Sequence, residues 1–278
     1  NPNHLHIGDY VDYNNPTSGT YTITAEKSGM KNTEFNYDQT YDITKNQLNW
    51  RVLGIDEETG GLKLIAGSPM KLNDIEGKNN PYLYLYGAEA YVYGPDEMNN
   101  ACAMYKNEYA QEARSVNMED INEVLGIKTE GDIKNNNAMA KSGIIQYGEE
   151  YGPFENQYTP ETWLNGEQTT TVQGKTTAYA FFIGEEEGMI KLANTRAKAM
   201  LFDNVKYRQG KAYWLASRGA FAVSDDDYAY FGPFGVNGGG GILSAGMYGN
   251  TFGSYGHEND YMFAVRPVVS LKSYITKN

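Results

Sequence analysis

Residues 219–265 contain no Lys and no Arg, but they hold eleven Gly and ten aromatic side chains. Each Gly costs a helix interior about 1 kcal/mol relative to Ala, so this density rules out a long helix there. The flanks are different. Residues 213–218 read YWLASR and residues 265–271 read VRPVVSL. Short runs of aromatic and β-branched residues are the signature of buried strands. The remainder of the intervening stretch is mostly Ser, Asn, Asp, Ala and Val. Tyr offers large, rigid contact area at low entropic cost, and small polar residues adapt around it, as in antibody contact loops. The segment therefore reads as a recognition surface held between two framework strands.

The chain of 278 residues is long enough for one large domain or two small ones, and an apolar fraction of 40% permits a packed core. Its net charge is −12. A polyanion repels phosphate backbones, so neither nucleic acid nor an anionic membrane surface is expected as a partner. A single cysteine, Cys102, excludes an intramolecular disulfide. Its favoured reading is a small buried residue on a helix; a redox or acyl-transfer nucleophile is the alternative. No apolar run is long enough to span a bilayer. The sequence begins at Asn1 rather than Met, which gives the expectation that a signal or anchor segment has been removed.

Along the chain, residues 7–13 read as a strand, residues 14–19 as a turn and residues 21–24 as the returning strand. Residues 27–41 are polar and read as loop. Residues 48–55 (LNWRVLGI) and 62–66 (LKLIA) flank a Gly-Gly turn and make the clearest hairpin signal in the sequence. Residues 96–113 have helical composition, with Met98, Ala101, Cys102, Tyr105 and Tyr109 spaced three or four apart. A second helix is expected over 118–125, with Asn117 as N-cap and Gly126 as its stop. Residues 130–175 are irregular around Trp163. A strand is expected at 179–183 and a helix within 185–202. The fold class is α+β: mainly antiparallel sheet with two or three helices to one side and long irregular loops. One domain over 1–278 is expected, with a hairpin region at 7–66.

The blocks YWLASR and VRPVVSL resemble the framework of variable proteins diversified by retroelements in bacteria and their phages. Residues 48–55, 113–125 and 193–202 are similar to blocks of gut-bacterial surface members. The resemblance implies a C-type-lectin-like domain, in the version shared with formylglycine-generating enzymes, and a hypervariable region at 219–265. In that family adenines of a template, mostly in asparagine codons, are randomised. Such codons cannot encode Lys, Glu, Gln, Met or Trp. Within 219–265 only Met247, Glu258 and Met262 belong to the excluded set, so they would be fixed positions. The codons do not explain the missing Arg.

Several residues invite chemistry. Formylglycine-generating enzymes use paired cysteines, and Cys102 stands alone and far from the matching region. His4 and His6 could offer two imidazoles to a metal, but a terminal segment is the simpler reading. His257 beside Glu258 has the make-up of an acid–base residue; a variable contact position is favoured. Consecutive carboxylates at Asp225, Asp226 and Asp227 would alternate in a strand, which disfavours convergence on Ca²⁺; a solvated acidic loop or a contact patch is the stronger reading. Residues 238–241, four Gly, lack the Lys-Ser/Thr of a phosphate loop. Trp50, Trp163 and Trp214 are expected in the core, and Arg218 and Arg266 are expected to pair with carboxylates or carbonyls beside the sheet.

The resulting expectation is a non-catalytic binding protein with no cofactor and no metal. Its ligand would be a protein or glycan on a cell or phage surface. The contact positions expected on one exposed surface are Phe221, Val223, Asp225, Asp226, Asp227, Tyr230, Phe234, Asn237, Tyr248, Asn250, Phe252, Tyr255, His257, Asn259 and Tyr261. Trp214, Leu215, Met247, Val265, Val268 and Leu271 are expected to be buried. The alternatives are an enzyme or enzyme relic of the formylglycine-generating type, and a structural appendage domain of a pilus or phage tail fibre. The location implied is extracellular, at the cell surface or on a virion.

Overall fold

The computed structural model describes residues 5–31, 36–45, 48–56, 58–72, 82–125, 140–145, 178–181, 195–201, 212–223, 228–236, 242–244, 247–248 and 263–273. It is an α+β fold. One sheet has five strands, all antiparallel: β1 (Tyr10–Val11), β4 (Trp50–Ile55), β5 (Leu62–Ala66), β13 (Pro267–Leu271) and β6 (Ala110–Ser115), in that order. A second sheet runs β11 (Ile242–Ser244), β10 (Tyr228–Val236), β9 (Tyr213–Val223), β8 (Ala178–Phe181) and β7 (Ala140–Ile145), with β12 (Met247–Tyr248) also on β10. Only β8 and β9 are parallel neighbours. A separate hairpin joins β2 (Thr20–Ile23) to β3 (Gln39–Asp42). The described helices are α1 (Gly87–Val92), α2 (Gly94–Cys102), α3 (Met118–Leu125) and α4 (Thr195–Leu201).

The hairpin of β4 and β5 forms where the sequence places it. Its turn is closed by Asp56, whose Oδ1 accepts the N–H groups of Glu58 (3.1 Å) and Thr59 (3.0 Å). Gly60 supplies a φ of 67°. A Cβ on Gly61 would lie 1.9 Å from the Leu271 carbonyl oxygen, so the turn can press against the end of β13 only with Gly there.

β13 lies between β5 and β6, so the last framework block becomes a central, buried strand; Val265, Val268 and Val269 are buried. The residues just before it lace the two sheets together. Backbone N–H groups of Met70, Leu83, Trp214 and Val116 donate to the carbonyls of Val265, Phe263, Ala264 and Arg266. Trp214 and Leu215 are buried, whereas Leu271 is only partly buried. The Trp214 Nε1–H donates to the Leu83 carbonyl (2.9 Å), and its ring meets Phe263 edge-on at 4.8 Å. Trp50 is buried against Tyr13 and Tyr105.

α3 occupies the expected span. Asn117 Oδ1 accepts the Asp120 N–H (2.9 Å) and Asp120 Oδ2 accepts the Asn117 N–H (3.1 Å), a reciprocal cap. Arg114 grips the same carboxylate at 2.6 and 2.9 Å and fixes the helix to β6. Burial by itself would lower the Arg114 pKa; the two-point bond to Asp120 and the charges of Asp120, Glu112 and Glu119 together outweigh it and hold the guanidinium above its ordinary value.

Four local expectations are corrected. The helix expected over 96–113 stops at Cys102, passes through a short 3-10 turn, and gives way to strand at Ala110. Past that turn Lys106 is extended, and Asn107 Oδ1 accepts the N–H groups of Tyr109 and Ala110, bonds that a resumed helix would have to replace. Residues 110–115 then gain a ladder against β13, broken only by an irregularity that leaves Gln111 unpaired there, which local helix propensity cannot match. Tyr109 is exposed rather than on an apolar face. Residues 27–41 include the start of β3, which pairs with β2; the returning strand therefore does not pair with β1, which is confined to Tyr10–Val11 and joins β4 instead. Two other expectations hold: the helix within 185–202 is present over Thr195–Leu201, and the strand expected at 179–183 is present over Ala178–Phe181, residues 182–183 lying outside the described residues.

Candidate functional site

β9 and β10 form the long antiparallel ribbon that carries the first part of the Gly-rich stretch. Gly219 pairs with Gly232, Phe221 with Tyr230 and Val223 with Tyr228. Across the other edge of β10, Tyr230 pairs with Tyr248 of β12. Directly opposed residues of a sheet lie on the same face, and so do residues two apart on one strand. Positions 221, 230 and 248 therefore form one cross-strand row, with 223 and 228 in the next row on the same face. Tyr179 of β8 is level with Gly219 and extends this face to a fourth strand. With strands about 4.8 Å apart and rows about 6.8 Å apart, the footprint is roughly 14 Å each way.

Arg218 shows which face this is. It alternates with Gly219, so it belongs with positions 220 and 222 on the other side of the ribbon. From there its Nε donates to the Tyr91 carbonyl (2.9 Å), and its Nη2 donates to the Val92 carbonyl (2.6 Å) and to Asp96 (3.2 Å). The side turned to α1 and α2 is thus the one carrying Arg218. The row of 221, 230 and 248 occupies the opposite face.

The ribbon changes character at its far end. Pro233 pairs with Arg218 and Phe234 with Leu215, leaving Ala216 and Ser217 without a β10 partner. This irregularity bends the ribbon into the core. Phe234 is only 1% exposed, so the expectation that it is a contact residue is wrong: simple alternation from Tyr230 does not survive the bend. Gly235 belongs to the same packing. A Cβ there would stand 2.4 Å from a ring carbon of Phe263.

Of the other expected contact positions, Asp225, Asp226, Asp227, Asn237, Asn250, Phe252, Tyr255, His257, Asn259 and Tyr261 lie outside the described residues, as do His4, Trp163 and residues 238–241. Phe221, Val223, Tyr230 and Tyr248 are brought together by register. Two further residues share their face and were missed. Tyr228 was legible, being in step with Tyr230 two residues on. Tyr179 was not, because only the non-local parallel pairing of β8 with β9 brings it there.

Arg266 is 3% exposed and structural. Its guanidinium donates to the carbonyls of Ala66 (2.8 Å) and Met200 (3.0 Å) and lies 4.9 Å from the centre of the Tyr213 ring. Burial lowers its pKa and raises that of Tyr213. Cys102 is buried with its sulfur 3.9 Å from that of Met70, and burial pushes its thiol pKa well up, the opposite of an activated nucleophile. Among the described residues no three His, Cys, Asp or Glu side chains are grouped to hold a metal, and no helix is long and apolar enough to cross a membrane.

No family model, curated protein or solved structure matches the chain.

Proposed function

We propose that this chain is a non-catalytic recognition protein, presenting a variable contact surface on a C-type-lectin-like scaffold outside the cell or on a virion. The observation that carries the reading is the cross-strand row of Phe221, Tyr230 and Tyr248 on the face opposite Arg218. A position that varies freely must not support the core, because core substitutions typically cost about 2–5 kcal/mol. The reading requires such freedom on the side of the ribbon opposite Arg218, the side that positions 221, 230 and 248 share by register. Framework positions are elsewhere: Trp214, Leu215, Val265 and Val268 are fully buried. The buried, high-pKa thiol of Cys102 gives no support to a formylglycine-generating activity.

The test is sequence variation in a natural population. Amplifying the gene from many cells should reveal substitutions concentrated at 221, 223, 230 and 248, with 214, 215, 265 and 268 constant. A reverse-transcriptase gene and an adenine-rich near-copy of this segment should lie nearby. Substitutions spread evenly over buried and row positions would refute the proposal.

A further inference from the structure

We propose that Arg218 is a positioning residue: it supplies the junction of α1 and α2 with hydrogen-bond donors that Pro95 withholds, and so seats the base of the β9–β10 ribbon on the helix pair. That the seated ribbon carries the contact row rests on the recognition reading; the seating itself does not.

α1 and α2 are separated by Tyr93 alone, and its backbone is helical, with φ −102° and ψ −27°. The chain therefore runs on from one helix into the next rather than leaving through a loop. In an uninterrupted helix each carbonyl accepts the N–H four residues later. The Tyr93 N–H donates to the Glu89 carbonyl (2.7 Å) and the Glu97 N–H to the Tyr93 carbonyl (2.9 Å) in this way. Residue 95 would serve the Tyr91 carbonyl, but Pro95 has no N–H, and a proline ring crowds the carbonyl four residues back. Arg218 arrives at this point from 127 residues away. Its Nε donates to the Tyr91 carbonyl (2.9 Å) and its Nη2 to the Val92 carbonyl (2.6 Å). The rigid fork of a guanidinium matches two successive carbonyls, which the compact ammonium of a Lys does not. Its charge stands at the carbonyl end of α1, where the helix dipole favours a cation. It also reaches Asp96 (3.2 Å) in the first turn of α2.

The ribbon is irregular at the same place. Pro233, opposite Arg218, has no N–H for the ladder, and Ala216 and Ser217 have no β10 partner. Three successive residues of β9 are held by other elements instead. The Ala216 N–H donates to the Val116 carbonyl (2.8 Å), Ser217 Oγ accepts the Met118 N–H (2.9 Å), and Arg218 takes the helix junction. A proline interrupts the regular bonding on each side, Pro95 in the helices and Pro233 in the ribbon, and Arg218 joins the two interruptions.

The experiment is a double-mutant cycle on the full chain: wild type, Arg218→Ala, Pro95→Ala and both together. Each is followed by thermal melting and by amide hydrogen exchange read by mass spectrometry. Arg218→Ala should lower the melting midpoint by about 5–10 °C, the scale of losing charge-assisted bonds at a part-buried site in a chain of this size. Exchange should rise about tenfold or more over residues 87–97, 215–222 and 229–236, and stay at the wild-type rate in the β4–β5 hairpin. Pro95→Ala restores an N–H that helix geometry aims at the Tyr91 carbonyl. Its effect should therefore be more favourable by about 3 °C or more in Arg218→Ala than in the wild type. Arg218→Lys keeps the charge without the fork, and should fall at least halfway to Arg218→Ala in both measurements. Equal effects of Pro95→Ala in the two backgrounds would refute the substitution for the missing donor. A Lys variant indistinguishable from the wild type would overturn the fork. Wild-type exchange in Arg218→Ala, or a uniform rise that includes the hairpin, would overturn the seating and leave the recognition reading standing. That reading fails on its own test, variation at 221, 230 and 248, which these variants do not touch. If Arg218→Ala does not fold, the cycle is run with Arg218→Lys in its place and decides the same points.

Discussion

Phe234 and Tyr230 stand four residues apart on one strand, and their replacement by Ala should have opposite consequences. Phe234 is 1% exposed and pairs with Leu215, which is fully buried. Truncating a buried Phe costs about 3–5 kcal/mol, the sum of lost transfer energy and the cavity left behind. In a chain of this size each kcal/mol lowers the melting temperature by about 2–4 °C. Phe234→Ala should therefore melt about 6–20 °C below the wild type. Tyr230 lies in the row on the face opposite Arg218. On the recognition reading its change to Ala forfeits only strand preference and cross-strand contact, about 1 kcal/mol, or about 4 °C at most. Calorimetric melts of the two variants decide the matter. If Tyr230→Ala loses as much as Phe234→Ala, the row supports the core and the recognition reading fails. If Phe234→Ala melts with the wild type, the bend at Pro233 does not carry the ribbon into the core.

Gly235→Ala would press a methyl group 2.4 Å from the Phe263 ring; a loss of about 1–3 kcal/mol is expected, and Phe263→Leu in the same chain should recover part of it in urea titrations. Asp56 ties the β4–β5 turn. Partial burial on its own would raise its pKa, but hydrogen bonds from the Thr59 backbone and hydroxyl outweigh that and lower it. A lowered carboxyl pKa means its stabilisation is complete above the ordinary Asp value and disappears as pH falls through the lowered one. Acid unfolding followed by circular dichroism should thus be less steep in Asp56→Asn, and an unchanged profile would contradict the assignment. Cys102 should resist iodoacetamide in the native protein and react fully in denaturant, as followed by mass spectrometry; native labelling faster than unfolding would show that the thiol is accessible.

The parts of this fold that sequence alone determined are those whose causes are local. Asp56, Gly60 and Gly61 select the turn that joins β4 to β5. Asn117 and Asp120 cap α3 from within its own first turn. The apolar density of residues 213–215 and 265–269 admits hardly any place but the core. Other features depend on partners distant in the chain. Residues 110–115 have helical composition and become a strand because β13, more than 150 residues later, offers them a ladder. The return strand β2 pairs forward with β3, where polarity suggested only loop. Within the candidate site, the row of Phe221, Tyr230 and Tyr248 depends on two registers. Tyr179 joins their face through a parallel pairing, and Phe234 leaves it at a bend that alternation does not foresee. Turn and cap chemistry acts over a few residues, so it can be read from them. Which strands lie side by side, and in what register, is settled by the burial of many side chains at once, and only the tertiary structure records that outcome.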